Sequence, residues 1–209
     1  RHPRSGERVP PALFVVQAEE AGLVPELTRW SLQAALREFK PLHAADPSLH
    51  CALNLSARAF EDSALVEQIE SALAIWGLPP AALLLEITET ALLEEPQRNA
   101  RQLSRLRALG VGVALDDFGQ GYSSFGYLQF LELSLLKIDR RFLERLEGAR
   151  ERGLVQSMIQ LAHRLQMQVV AEGVETPEVA GVLAQLGCDF AQGWHFGHPQ
   201  PAAHWLAGG

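Results

Sequence analysis

Along the chain, short apolar runs alternate with longer stretches whose apolar residues recur at helical spacing. Residues 50–55 (HCALNL) read as a strand, and over 57–76 the residues Phe60, Leu65, Ile69, Leu73 and Trp76 fall on one helical face. Gly77 and Pro79-Pro80 stop that helix. A strand at 83–87 follows, then a helix over 96–109 with Gly110 as its C-terminal stop. Further strands are expected at 111–115, 133–138, 168–171 and 189–192, with helices at 141–146, 149–166 and 177–186 between the last three. Ahead of the first strand, 11–21 and 25–39 read as helices, each opened by a proline that suits a first helical position.

Strand–helix units in series with apolar strands predict a parallel sheet covered by helices. A doubly wound open sheet and a (β/α) barrel both satisfy that pattern. No G-x-G-x-x-G turn follows any strand, which weighs against the nucleotide-binding open sheet. Each strand also ends in a group able to hold a metal or a phosphate: Asn54, Glu86, Asp116 with Asp117, Lys137 with Asp139, Glu172 and Gln192. A barrel gathers its strand C-termini at one mouth, where barrel enzymes place their chemistry, whereas an open sheet spreads them along a line. The expected fold is therefore α/β, a modified TIM-type barrel. A closed barrel of this kind needs about eight strands. Six are legible, so residues 1–209 are expected to form one domain that lacks its first one or two strands.

Composition narrows the class without naming it. The chain has 209 residues, 47% hydrophobic and 21% charged, the balance of an ordinary globular protein. At this size folding buries roughly 70% of the unfolded chain's surface, so neither disulfides nor a structural metal are required. Apolar runs are too short and interrupted to span a membrane. The basic first residues lead into no signal-peptide core. Cys51 and Cys188 stand far apart, a usage that suits a reducing cytoplasm. A net charge of −7 argues against binding a nucleic acid polymer. Metal ions can still bring a phosphorylated ligand to an acidic site.

The candidate chemistry is an all-oxygen set, the carboxylates of Glu86, Asp116, Asp117 and Glu172 with the amide oxygen of Asn54. Such donors select hard cations such as Mg²⁺, Mn²⁺ or Ca²⁺ over zinc. Adjacent carboxylates at Asp116-Asp117 let one bridge two metals, the usual apparatus for cutting a phosphodiester. Lys137 can hold the attacking water or a phosphate oxygen, and Gln192 can read a base edge or a ribose. A single Asp or Asn after a strand is commonly a helix N-cap, and Lys137 beside Glu172 could be a structural ion pair. Such a group on every strand end favours a site. The glycine-rich loop of Phe118, Gly119, Gln120, Gly121, Tyr122, Ser123 and Ser124 is expected to act as a mobile lid. Histidines lack zinc-binding spacing, and His163 is expected on a helix surface. Cys51, Trp30, Trp76 and Phe39 are expected in the core.

The strings Asn54-Leu55-Ser56, Glu86-Ile87-Thr88-Glu89, Asp116-Asp117-Phe118-Gly119, Lys137-Ile138-Asp139, Ala171-Glu172-Gly173-Val174-Glu175 and Gln192-Gly193 resemble, in order and spacing, the EAL-domain family of bacterial cyclic di-GMP phosphodiesterases. The resemblance runs through essentially the whole chain. It implies a modified barrel with one antiparallel strand. It implies Asn54, Glu86 and Asp116 as ligands of a first metal, and Asp116, Asp117 and Glu172 as ligands of a second. By the same resemblance Glu172 is also a possible base and Lys137 contacts the catalytic water. Glu175, Asp139 and Gln192 line the substrate or order the site, and Glu89 anchors the lid loop at a frequent dimer interface. The implied reaction opens cyclic di-GMP to linear pGpG with Mg²⁺ or Mn²⁺, Ca²⁺ being inhibitory. It implies a cytoplasmic domain, as a homodimer, behind sensory or GGDEF-type domains.

Departures from the family pattern bear on activity. The glutamate–alanine–leucine motif is absent, and its glutamate is a metal ligand in the family. Gln120 replaces the usual lid threonine, Glu132 and Ser134 replace a proline and an aspartate, and His198 stands before Pro199 where an arginine or lysine is common. Two other readings therefore accompany the phosphodiesterase: a receptor that binds cyclic di-GMP without cutting it, and an unrelated metal-dependent barrel enzyme.

Overall fold

The computed structural model describes residues 6–7, 9–119, 131–144, 146 and 148–206. Most of the expected lid, from Gln120 through Ser124, lies outside the described residues.

Two helices lead the chain, α1 (Pro11–Glu20) and α2 (Val24–Ala45). Then come β1 (Cys51–Asn54), α3 (Leu65–Trp76), β2 (Leu83–Thr88), α4 (Glu89–Glu94), α5 (Pro96–Leu109) and β3 (Gly112–Phe118). They are followed by β4 (Leu135–Ile138), α6 (Ala149–Arg164), β5 (Gln168–Glu172), α7 (Pro177–Gln185), β6 (Phe190–Gln192) and α8 (Ala202–Leu206). The strands form one six-stranded sheet in sequential order, and its described pairings are all parallel. It curls as half of a TIM-type barrel. The antiparallel strand implied by the family resemblance is not among these pairings.

Alternation along each strand gives the sheet two unlike faces. Leu83, Leu85, Ile87, Val113, Leu115, Leu136, Ile138, Val169 and Ala171 are fully buried on the face covered by helices. The register places Glu86 level with Asn54 and Ala114, Lys137 level with Val170, and Glu172 level with Gln192. These polar residues therefore share the concave face. At its two margins that face is open, since Ala52 and Asn54 on β1 and Phe190 and Gln192 on β6 are exposed.

The helices differ from the sequence pattern at identifiable points. The single helix expected over 57–76 is a 3-10 turn, Ala57–Glu61, followed by α3. Asp62 makes the break by accepting the Ala64 amide at 2.8 Å and the Gln68 side chain at 2.8 Å. Of the helix expected at 141–146, the described residues hold only a short 3-10 turn, Arg140–Phe142, capped by Asp139, which accepts the Arg141 amide at 2.9 Å. The helix α2 runs through Pro41 rather than ending before it. Trp30 is 67% exposed, not core; Phe39 is buried, and Trp76 lies partly buried with its indole donating to Gln33 at 2.8 Å. Cys51 packs against the core as expected. Among the described residues no helix is long and apolar enough to cross a membrane.

Candidate active site

Lys137 is the hub of the concave face. Its Nζ is 2.7 Å from Glu172, 2.8 Å from Glu86 and 3.2 Å from Asp116, so three strands deliver carboxylates to one ammonium. The lysine is 5% exposed and Glu86 8% exposed, so the cluster is largely withdrawn from water. Burial alone pulls the Lys137 pKa down, but its hydrogen bonds to Glu172 and Glu86 more than offset this, and the ammonium is held charged far above its ordinary range. Burial pushes Glu172 upward, partly countered by the hydrogen bond from Lys137. The ion pair considered from sequence is therefore present, and it is a cluster of four groups.

Adjacent residues of a regular strand point to opposite faces, so Asp116-Asp117 needs a departure from regularity to serve one site. The departure is visible. The β3–β4 register shifts between Leu115 and Phe118, and Asp117 has φ +56°. Asp117 thereby lies close enough to Asp116 and Asp139 to feel both. Burial raises its pKa first, and repulsion from those two carboxylates adds to it.

Glu89 opens α4 directly after β2 and is 2% exposed. Its Oε2 accepts the Gly119 amide at 3.3 Å, tying the start of the glycine-rich loop two residues beyond Asp117. The short α4, which the sequence pattern did not reveal, is itself held by Asn99 of α5. Asn99 Nδ2 donates to the Ala91 carbonyl at 2.9 Å, while its buried Oδ1 has no partner among the described residues.

Glu172, Glu175, Asp139 and Gln192 line one cavity of about 710 Å³. Arg140, Trp194, Phe196, His198 and Trp205 complete much of its wall, and of these only His198 was singled out in the sequence. A cation following Lys137-Ile138-Asp139 and an aromatic following Gln192-Gly193 were the available signals. Gly193 lets the walls meet: a Cβ there would collide with the Val174 backbone, which donates to Gln192 at 3.0 Å. Asn54 stands apart, exposed at the end of β1 but level with Glu86. His163 is on the surface of α6, paired with Asp189 at 2.8 Å.

Among the described residues no three His, Cys, Asp or Glu side chains gather round one metal-sized position. The place between Glu86, Asp116 and Glu172 is held by the Lys137 ammonium. The donor chemistry fits a hard divalent cation, because every candidate ligand is an oxygen and three already converge on one positive atom.

The model of the EAL domain matches residues 1–199. This chain belongs to the EAL domain family. Cyclic di-GMP phosphodiesterase NbdA of Pseudomonas aeruginosa is 39% identical over 205 residues, which cover 97% of this EAL chain and 26% of that protein. The bifunctional diguanylate cyclase/cyclic di-GMP phosphodiesterase MucR of the same species is 38% identical over 208 residues, covering 99% of this chain and 30% of MucR. The chain thus spans between a quarter and a third of these relatives. The solved MucR phosphodiesterase in complex with c-di-GMP superimposes with a TM-score of 0.89 at 37% identity, covering 98% of this EAL chain and 83% of that one. Family membership removes the reading of an unrelated metal-dependent barrel.

Proposed function

We propose that this EAL domain hydrolyses cyclic di-GMP to linear pGpG. The observation that carries the reading is the convergence of Glu86, Asp116 and Glu172 on Lys137 at the concave face. Asn54, Glu86, Asp116, Asp117 and Glu172 would hold two Mg²⁺ or Mn²⁺ ions, with Ca²⁺ inhibitory. Bound there, the ions would lower the pKa of water and neutralise charge on the phosphate. Lys137 positions the attacking water through its ammonium. Glu172, whose pKa burial has raised, accepts a proton from that water as its oxygen bonds to phosphorus. The bond from phosphorus to the ribose 3′ oxygen breaks, and that oxygen takes up a proton from solvent while Glu172 releases the one it accepted, so that one water is added overall. Gln192, Glu175 and Asp139 border the substrate in the 710 Å³ cavity. Glu89 sets the start of the lid through Gly119.

We further infer that residues 1–209 form one EAL-like domain in which two more strands, carrying the glutamate of the family motif, fill the open side between β1 and β6. Exposed Ala52 and Phe190 on the concave face support this. The domain is read as cytoplasmic, as a homodimer through the lid region, and as one module beside sensory or GGDEF-type domains.

The test is hydrolysis of cyclic di-GMP by the full-length protein with Mn²⁺, comparing wild type with Asp116→Ala. Formation of pGpG by wild type alone is expected. Activity retained by Asp116→Ala would remove the metal assignment. The occupation of the carboxylate cluster by Lys137 favours one second reading, a receptor that binds without cutting. Binding of cyclic di-GMP with no hydrolysis under any divalent ion would establish it instead.

A further inference from the structure

Arg140 has no place in the chemistry above, yet it stands on the cavity wall with Glu172, Glu175 and Gln192. It is the only lysine or arginine among the described residues that line this cavity. Its neighbour Arg141 is tied to Asp139 at 2.9 Å, whereas Arg140 makes no salt bridge among the described residues. Three carboxylates border the same space and none of them pairs with it. An arginine satisfied by structure would be bound to one of them, so its five N–H donors are available to a ligand.

The stem of Arg140 is also seated. It lies across Gly173, where a Cβ would collide with the Arg140 Cβ and come 3.4 Å from its Cδ. Gly173 has φ +69°, so glycine serves both the turn after β5 and the passage of this side chain. A fixed stem reduces the rotamer freedom lost when the fork engages a partner.

The rest of the wall indicates what that partner is. Trp194 and Trp205 are 62% and 49% exposed and offer flat faces for a base to stack on. Glu175 is a carboxylate acceptor. Guanine presents O6 and N7 as paired acceptors, which match a guanidinium fork, and its N1–H and N2–H₂ donors match a carboxylate. Adenine would turn its N6 amine toward the guanidinium donors. We infer that Arg140 is a specificity residue that reads the O6/N7 edge of one guanine of the ligand, on a platform of tryptophan. The inference rests on the cyclic dinucleotide reading of the site and adds the residue that selects the base.

The test is calorimetric binding of cyclic di-GMP and its adenine analogue cyclic di-AMP to the full-length protein, with Ca²⁺ as divalent ion to stop turnover. Wild type, Arg140→Ala and Arg140→Lys are compared. Arg140 is exposed, so both variants should melt with wild type. Arg140→Ala should weaken cyclic di-GMP binding about tenfold or more, leave the weak binding of cyclic di-AMP unchanged, and not be rescued by Arg140→Lys. Unchanged cyclic di-GMP binding in Arg140→Ala would overturn the inference while the proposed function stands. Equal losses for both nucleotides with rescue by lysine would also overturn it, because they would mark a phosphate contact. Absence of cyclic di-GMP binding to wild type would overturn this inference and the functional reading together.

Discussion

Lys137 and Asp117 both stand among carboxylates, with opposite consequences: the neighbours of Lys137 stabilise its charge, whereas those of Asp117 oppose it. Lys137 neutralises Glu86, Asp116 and Glu172, and its side chain is only 7% exposed. Because its folded pKa is raised, its stabilisation is complete below the ordinary lysine value of 10.5 and is lost only as pH climbs above that toward the folded value. Glu172 behaves differently, since a carboxyl raised by burial favours the fold below 4.5 and loses that contribution as pH rises through its folded value. Lys137 counters this loss in the wild type. Lys137→Met should therefore melt near wild type at pH 4 and about 10 °C lower at pH 7 in EDTA, from roughly 3–5 kcal/mol for stripping a buried charge of its partner. Thermal melts across that pH range check it, and a deficit independent of pH would contradict the assignment. Asp117 holds φ +56° among like charges, so it is maintained at a cost. Asp117→Gly relieves both burdens and should raise the melting temperature by a few degrees while abolishing hydrolysis.

At the scale of elements, α4 joins the ends of β2 and β3 to the outer helix α5. Thr88 caps it, Glu89 reaches Gly119, and Asn99 holds its carbonyl at Ala91. The unpaired Oδ1 of Asn99 is unfavourable by itself, by about 1–3 kcal/mol for a buried polar atom. Asn99→Leu removes that burden along with the tie to Ala91. Its melting temperature should shift by only a few degrees, whereas amide exchange at Gly119 should quicken and turnover fall several-fold. Unchanged exchange at Gly119 would show that Asn99 does not act through α4. None of this was readable in the periodicity. A six-residue helix has too few turns to carry an apolar stripe, and its apolar Ala91 and Leu92 look like the end of the preceding strand. The 3-10 turn before α3 escaped for a related reason, because Asp62 breaks the helix by side-chain hydrogen bonds that leave the apolar spacing intact.

The molecule as a whole is a half-barrel whose helix-covered face is closed and whose concave face is open at both margins. Two further strands beside β1 and β6 would cover Ala52 and Phe190 and pair the free strand edges. A polypeptide of residues 1–209 alone should thus unfold at lower urea and bind a hydrophobic dye, compared with the full-length protein. A steeper urea dependence for the longer chain would mark the extra surface buried on folding. Equal midpoints and slopes would show that the half-barrel is closed by something other than added strands.

The parallel sheet and the strand-end residues followed from sequence alone, because short apolar runs alternating with helical spacing admit few folds and place chemistry at the ends of strands. Glu86, Asp116, Lys137 and Glu172 were legible for that reason. Other features depended on three-dimensional packing. A bulge turns Asp117 beside Asp116, one ammonium gathers carboxylates from three strands, and Gly173 clears a path for Arg140. Trp30 lies on the surface although its spacing is that of a core residue. Periodicity records which face of an element a residue takes, whereas only the packed chain decides what stands opposite that face.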